Sequence, residues 1–422
     1  MLSCTTVYVS LFHAFLLWPI RVLCMLHQPK APMYIRTAAP LRRLCSQAQA
    51  EGRFALDLEF IRENSYVPRL ALIQIAVSDT CAIVDPLQVH DLSPLLELCT
   101  SPHTLKVLHA AGQDTEILHW HAGIVSEHIF DTQIAAALVG LGDQLAYARL
   151  VDQLLGVSLS KGESYSDWLQ RPLSPAQITY ALDDVRYLLP LHDALTQRLE
   201  AMGRTTWLAE ECRKFANPAL YQRDPQQLFR RIRRSNTLSS QGLAILRELA
   251  TWRDREARQR DRPPGSVLHD ELLVEVARKV PRTLDQLQRL RSFPTRELER
   301  SGLTLLGLVE QGLAVPEDAR PQPLHGRGPT PAEELIIKVL EACLKALCAR
   351  EKLSSAFIAS RTDLETLVRQ YRQGRLAAEG SPILEGWRGA LVGQELLAVL
   401  SGQVSIQLHP HTGRVQFTPR TP

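Results

Sequence analysis

The chain reads as an α/β domain followed by all-α modules, and three observations carry that reading. Residues 54–86 hold three strand-like runs separated by short turns. Residues 106–120 pass from a buried strand into a helix. From Leu243 onward, apolar residues return at helical spacing.

The first run, Phe54-Ala55-Leu56-Asp57-Leu58-Glu59-Phe60, alternates polar and apolar residues with the period of a strand. Side chains two apart share a face, so Asp57 and Glu59 point one way while Leu56, Leu58 and Phe60 point into a core. Leu70 to Val77 and Cys81 to Pro86 follow after short turns, and an antiparallel meander is the economical arrangement of the three. Lys106-Val107-Leu108-His109 reads as a buried strand ending at Gly112. Gln113 to Trp120 then reads as a helix with Asp114 in its first turn. The helix dipole favours a carboxylate there, and ligand sites collect at the carboxyl ends of such strands. A further helix starts at Ser174-Pro175, a cap followed by a proline at the first helical position. It carries Tyr180 and Asp184, four residues apart and therefore on one face.

These pieces supply four carboxylates and one phenol able to face a common point. Each alone has a plainer reading: a solvated strand face for Asp57 and Glu59, a helix cap for Asp114, a surface pair for Tyr180 and Asp184. The conjunction is what points to chemistry. Two carboxylates ~4 Å apart repel by ~4 kcal/mol at an effective dielectric near ~20, so such a cluster either protonates or binds metal. All-oxygen ligands suit hard cations, two Mg²⁺ or Mn²⁺, rather than zinc. Two such ions ~3.5–4 Å apart can clamp a scissile phosphate. Asp57, Glu59, Asp114 and Asp184 are the expected ligands. Tyr180, a phenol titrating near ~10, is a poor base at neutral pH and is expected to orient the attacking water.

On these residues the chain resembles the ribonuclease D family, part of the DEDD superfamily of 3′-to-5′ exonucleases. The family's Asp-x-Glu motif corresponds to Asp57 and Glu59, its second aspartate to Asp114 within His-Ala-Ala-Gly-Gln-Asp, and its Tyr-x-x-x-Asp motif to Tyr180 and Asp184. Phe130-Asp131-Thr132-Gln133 and Asp167-Trp168-Leu169-Gln170-Arg171-Pro172-Leu173 also look like the family. A sister branch has a histidine five residues before the last aspartate; Thr179 stands there, which indicates the tyrosine branch. The resemblance implies a ribonuclease H-like exonuclease domain, a mixed sheet flanked by helices, over residues 33–216.

At 422 residues the chain exceeds one typical core, so two or three domains are expected. A hydrophobic content of 45% with 22% charged residues describes an ordinary soluble protein. Eight cysteines, none in a Cys-x-x-Cys, read as reduced thiols of a cytoplasmic protein. Residues 1–32 read as an extension produced by an upstream start, with an export signal as the alternative: Val7 to Leu17 is apolar, but no basic residue precedes it. That run is also too short to span a bilayer, and no membrane or obligate protein partner is indicated.

Charge divides the chain. Residues 34–200 hold 12 Lys/Arg against 20 Asp/Glu, a net of −8, while residues 223–300 hold 18 against 11, a net of +7. An acidic half suits metal-holding carboxylates, and a basic half is either a nucleic-acid footprint or an array of solvated helix faces. Residues 222–312 read as helical, and Leu249-Ala250-Thr251-Trp252-Arg253 resembles the HRDC domain shared by RecQ helicases and ribonuclease D, which implies RNA or DNA contacts. Arg230, Arg231, Arg233 and Arg234 are the candidate RNA-binding cluster. A linker over 313–331, a second HRDC-like helical domain over 332–403 and a short hairpin tail over 404–422 complete the chain. The acidic segment up to about Ala216 is expected to stand alone as a catalytic domain.

The expected function is metal-dependent 3′-to-5′ exoribonuclease activity that trims tRNA precursors and other structured RNAs and releases nucleoside 5′-monophosphates. The RNA preference comes from the resemblance, since the metal site would cut DNA equally well. The alternatives are a DNA exonuclease of repair type and an inactive exonuclease fold serving as an RNA-binding scaffold. A helicase is disfavoured because no Gly-x-x-x-x-Gly-Lys-[Ser/Thr] phosphate loop occurs.

Overall fold

The computed structural model describes residues 30–160, 162, 166–222, 224–323, 328–376 and 381–420. Most of the expected N-terminal extension, residues 1–29, lies outside the described residues. Two compact units form: one from residues up to 59, 71–217 and from 329 onward, the other from 60–70 and 218–328. Among the described residues, no helix is long and apolar enough to cross a membrane.

The first unit is built on a six-stranded mixed sheet in the order β1-β4-β3-β2-β5-β6. Its strands are β1 (Lys30–Ile35), β2 (Arg53–Ile61), β3 (Arg69–Val77), β4 (Thr80–Val84), β5 (Leu105–Leu108) and β6 (Ile129–Asp131). β3 and β4 pair antiparallel, as the meander requires. β2 pairs parallel with β5, and β5 with β6, so the strand carrying Asp57 and Glu59 lies inside the sheet. Strand β1 starts ahead of the expected domain boundary at residue 33: Met33 and Tyr34 pair parallel with Ala82 and Ile83. Leu56 and Leu58 are buried, whereas Phe60 is half-buried.

Helices α1 (Ala38–Glu51) and α2 (Ser93–Thr100) are followed by α3 (Gly112–Ala122), α4 (Thr132–Leu138), α5 (Tyr147–Leu155), α6 (Pro175–Arg186), α7 (Leu188–Ala201) and α8 (Thr205–Arg213). The start of α6 follows the expected cap. Ser174 Oγ accepts from the Gln177 amide at 3.1 Å and Gln177 Oε1 accepts from the Ser174 amide at 2.9 Å, with Pro175 at the first position.

The second unit is helical. Its main helices are α9 (Ser240–Gln259), α10 (Asp270–Lys279) and α11 (Thr295–Ala314), preceded by a 3₁₀ turn over Pro225–Arg231. Leu243, Leu246, Leu249 and Ala250 form the buried stripe of α9. Several arginines here are structural. Arg253 reaches the Leu268 carbonyl and Asp270, both at 2.8 Å. Arg260 pairs with Glu256 at 2.6 Å and Glu297 at 2.8 Å. Arg231, Arg233 and Arg234 are exposed. Arg230 instead bonds Gln227 and the Gln322 carbonyl. The connection between the first two strands, expected as a short turn, falls within residues 60–70 and belongs to this unit: the Tyr66 hydroxyl donates to Asp254 at 2.8 Å and its amide to Asp261 at 3.0 Å.

The segment expected as a separate domain from residue 332 packs within the first unit. It contains α12 (Pro331–Arg350), α13 (Arg361–Arg372), a π-helical turn over Gly389–Gly393 leading into α14 (Gln394–Leu400), and the antiparallel hairpin of β7 (Val404–His409) and β8 (Arg414–Pro419). Trp387 stacks on Trp207 of α8, with centroids 4.6 Å apart and planes 12° from parallel. The Trp387 indole N–H donates to Glu211 at 3.0 Å, and Arg388 pairs with the same carboxylate. Arg204 is 4% exposed and donates to the Leu138 carbonyl at 2.8 Å and to Glu351 at 2.7 Å. A Cβ at Gly386 would lie 1.7 Å from a Glu210 oxygen, so a side chain there would displace the Glu210 carboxylate of α8. The surface of residues 33–216 at α8 thus packs against residues more than a hundred positions later, a pairing that local sequence patterns do not announce.

Candidate active site

Alternation along β2 places Asp57 and Glu59 on one face, and α6 contributes Asp184. Carboxylate oxygens of these three residues all lie within 4.8 Å of one another. At an effective dielectric near 20, two full charges at that separation repel by about 3–4 kcal/mol. Protonation is one escape. In the metal-free protein burial pushes the Asp57 carboxyl up to about 7, burial and then Asp57 push Glu59 up to about 8, and burial followed by Asp57 and Glu59 pushes Asp184 up to about 9. A hard cation is the other escape, and an all-carboxylate donor set suits one.

Asp114 stands in the first turn of α3 and is 6% exposed. It is outside the tight trio, yet it shares their field: burial first, then Asp57, raises its carboxyl well above the ordinary range, with Asp131 and Glu59 adding to the effect. All four expected carboxylates thus belong to one electrostatic cluster.

Tyr180 lies one helical turn before Asp184 and is half-buried. Its ring packs 5.9 Å from that of Trp168, tilted by 36°. The backbone of Gly162 also comes close to the ring; a Cβ at that position would come 2.7 Å from Tyr180 Cδ2. The phenol is therefore gripped by the segment preceding α6. Arg171 anchors that segment. Its guanidinium binds the fully buried Asp85 through Nε at 2.7 Å and Nη2 at 2.9 Å, and donates to the carbonyls of Ala71 at 2.8 Å, Trp168 at 2.7 Å and Gln170 at 2.8 Å. Asp85 also accepts from the Tyr34 hydroxyl at 2.9 Å. Burial opposes its charge, but the bonds from Arg171 and Tyr34 outweigh burial and hold its carboxyl below the ordinary range.

Sequence reasoning missed one organising residue. Asp131, 1% exposed at the end of β6, accepts from the amides of Ala110 at 3.1 Å, Ala111 at 2.9 Å, Gln133 at 2.8 Å and Ile134 at 3.2 Å. One carboxylate thus caps α4 and ties down the loop that launches α3 and Asp114. Ala110 in that loop has φ +57°, a left-handed value the two Asp131 bonds help to hold. The stretch 130–133 is visible as family-like, but a capping role leaves no spacing signature. Arg230, Arg231, Arg233 and Arg234 are not part of this cluster; they lie in the helical unit.

Comparison with known proteins identifies the family. The family description "3'-5' exonuclease" matches residues 32–200, and "HRDC domain" matches residues 242–309. The chain is 37% identical to ribonuclease D of Gluconacetobacter diazotrophicus, covering 88% of this chain and 94% of the relative. It is 35% identical to ribonuclease D of Zymomonas mobilis, covering 91% and 97%. The crystal structure of Escherichia coli RNase D, described as an exoribonuclease involved in structured RNA processing, superposes with a TM-score of 0.79 at 34% identity, covering 88% of this chain and 99% of that one. A mixed sheet bearing a carboxylate cluster, a helical HRDC domain and relatives matched nearly end to end lead to one conclusion: the chain belongs to the ribonuclease D family and is a 3′-5′ exoribonuclease.

Proposed function

We propose that Asp57, Glu59, Asp114 and Asp184 hold two divalent cations, Mg²⁺ or Mn²⁺, and that the enzyme trims the 3′ ends of tRNA precursors and other structured RNAs, releasing nucleoside 5′-monophosphates in the cytoplasm. The observation that carries the metal reading is the approach of Asp57, Glu59 and Asp184 oxygens to within 4.8 Å. When bound, such cations supply a lowered pKa for the attacking water and charge neutralisation at the phosphate. The chain's own residues do the rest. The carboxylates set where the cations sit, and Tyr180, gripped by Trp168 and Gly162, hydrogen-bonds the water and orients it toward phosphorus. Structured RNA as the substrate is supported by the Escherichia coli relative, an exoribonuclease involved in structured RNA processing. The cytoplasmic reading is supported by the described cysteines, all of them free and buried thiols.

The direct test is digestion of a 3′-extended tRNA precursor by the full chain. Cleavage is expected to stop in chelator and to return with Mg²⁺ or Mn²⁺, and the product is expected to co-migrate with nucleoside 5′-monophosphate. Full activity in chelator, or activity with zinc alone, would overturn the metal assignment.

The helical unit is proposed to bind RNA through residues 222–312; residues 332–403, which pack within the first unit, are proposed as a divergent second HRDC-like module. Exposure of Arg231, Arg233 and Arg234 favours phosphate binding at that cluster. Alanine at Arg230, Arg231, Arg233 and Arg234 together is expected to weaken binding of a tRNA precursor and to flatten the plot of log affinity against log salt by roughly 0.7–0.9 for each phosphate that is no longer neutralised. An unchanged slope would mark the cluster as a solvated face.

A further inference from the structure

The junction between α6 and α7 is built around a tyrosine that belongs to none of the catalytic motifs. In a continuous helix the Tyr187 amide would donate to the Asp183 carbonyl, four residues back. Pro190 has no amide to offer the Arg186 carbonyl, and its ring crowds that oxygen. The helix breaks at Tyr187, with φ −102° and ψ −2°. The Tyr147 hydroxyl, reaching over from α5, occupies the gap: it donates to the Asp183 carbonyl at 2.8 Å and accepts from the Tyr187 amide at 3.3 Å. A side chain has been inserted into the helical hydrogen-bond ladder.

The inserted ring is itself held. It meets His109 edge-on, with centroids 5.5 Å apart and planes at 62°. His109 Nδ1 lies 2.9 Å from Thr132 Oγ1, and that hydroxyl donates to the Leu108 carbonyl at 3.0 Å. Tyr147 therefore ties the last turn of α6 to the end of β5, the strand that leads to Asp114. Asp184 directly follows the bridged Asp183 carbonyl, so the backbone that aims its carboxylate is the backbone Tyr147 holds.

We propose that Tyr147 is a positioning residue for the metal site: its hydroxyl, bridging Asp183 and Tyr187, fixes the last turn of α6 and so holds the Asp184 carboxylate against Asp57 and Glu59. The Tyr187 amide also donates to the Val185 carbonyl, so without the hydroxyl it is the Asp183 carbonyl that loses its partner, and the aim of Asp184 is no longer set. This inference rests on the reading of Asp184 as a metal ligand.

Tyr147→Phe keeps the ring against His109 and removes the bridge alone. Mn²⁺ binding to the full chain without RNA, followed by titration calorimetry, is compared among the natural protein, Tyr147→Phe and Asp184→Asn, with thermal melts in parallel. Tyr147→Phe is expected to bind Mn²⁺ about 10–100-fold more weakly while melting near the natural temperature. Its kcat is expected to fall at limiting metal and to recover in excess metal, with KM for a short RNA unchanged. A merely structural role would lower the melting temperature and leave Mn²⁺ affinity in place. If Tyr147→Phe binds Mn²⁺ like the natural protein while Asp184→Asn does not, the positioning role is overturned and the site stands. If Asp184→Asn also binds normally, the site reading itself falls. Should Tyr147→Phe fail to fold, Thr132→Val, which loosens His109 behind the tyrosine ring, is read in the same way: weaker Mn²⁺ binding supports the role, and natural affinity overturns it.

Discussion

Asp57→Asn and Asp184→Asn are each expected to abolish cleavage while leaving RNA affinity nearly intact. Each removes a charge from a trio whose oxygens lie within 4.8 Å, and an amide is a far poorer ligand for a hard cation than a carboxylate. Removing one positioned catalytic group typically costs ~10²–10³-fold in kcat, and that is the loss expected for Tyr180→Phe, which takes away a hydroxyl but no metal ligand. The aspartate variants should fall well below it. Neutralising one member also relieves repulsion on the others, so both aspartate variants are expected to melt at or above the natural temperature in chelator. Single-turnover cleavage, Mn²⁺ calorimetry and melts together separate the cases. Substantial cleavage by Asp57→Asn would sink the site. Equal losses of metal affinity in Tyr180→Phe and Asp184→Asn would make the tyrosine structural.

The second large effect is expected far from the carboxylates. Deleting residues from 329 onward should destabilise the catalytic unit rather than merely weaken its grip on RNA. The deletion uncovers Trp207, leaves the Arg204 guanidinium without Glu351, and strips Glu211 of both Trp387 and Arg388. Burial opposes charge on Glu211, and Arg388 outweighs it, so the carboxyl lies below its ordinary range. Breaking such a partly buried pair from one side costs ~3–5 kcal/mol. The single change Trp387→Ala isolates the packing part, with an expected loss of ~3–5 kcal/mol and a fall in melting temperature of roughly 6–20 °C. A deletion variant that melts like the full chain and still degrades short RNA would show residues 33–216 to be self-sufficient.

Sequence patterns exposed what is local and hid what is distant. The alternation around Asp57, the Ser174-Pro175 cap, the helical stripe of α9 and the hairpin within 404–422 each depend on neighbours within a few positions, and each appears in the structure where expected. The same locality delivered Asp57, Glu59 and Asp184 to one point, because strand and helix periods decide which way those side chains face. Strand β1 escaped because its parallel pairing with β4 bridges some fifty residues, and Lys30–Ile35 does not alternate clearly. Asp131 escaped because its four partners are backbone amides, which every residue except proline offers. Composition likewise overstated the basic half: Arg253 and Arg260 spend their charge on Asp270, Glu256 and Glu297.

The Trp207–Trp387 stack also has a consequence for synthesis. On the ribosome, β2, α6 and the whole carboxylate cluster emerge well before residue 387, and all of residues 218–328 must be made in between. During that interval the indole of Trp207 has no ring to cover it, and Glu211 has no cation from Arg388. The nascent chain thus carries an exposed apolar patch beside an unpaired acid, the kind of surface that recruits chaperones and proteases. A product cut short by a premature stop never loses that patch. Such a product is left open to proteases.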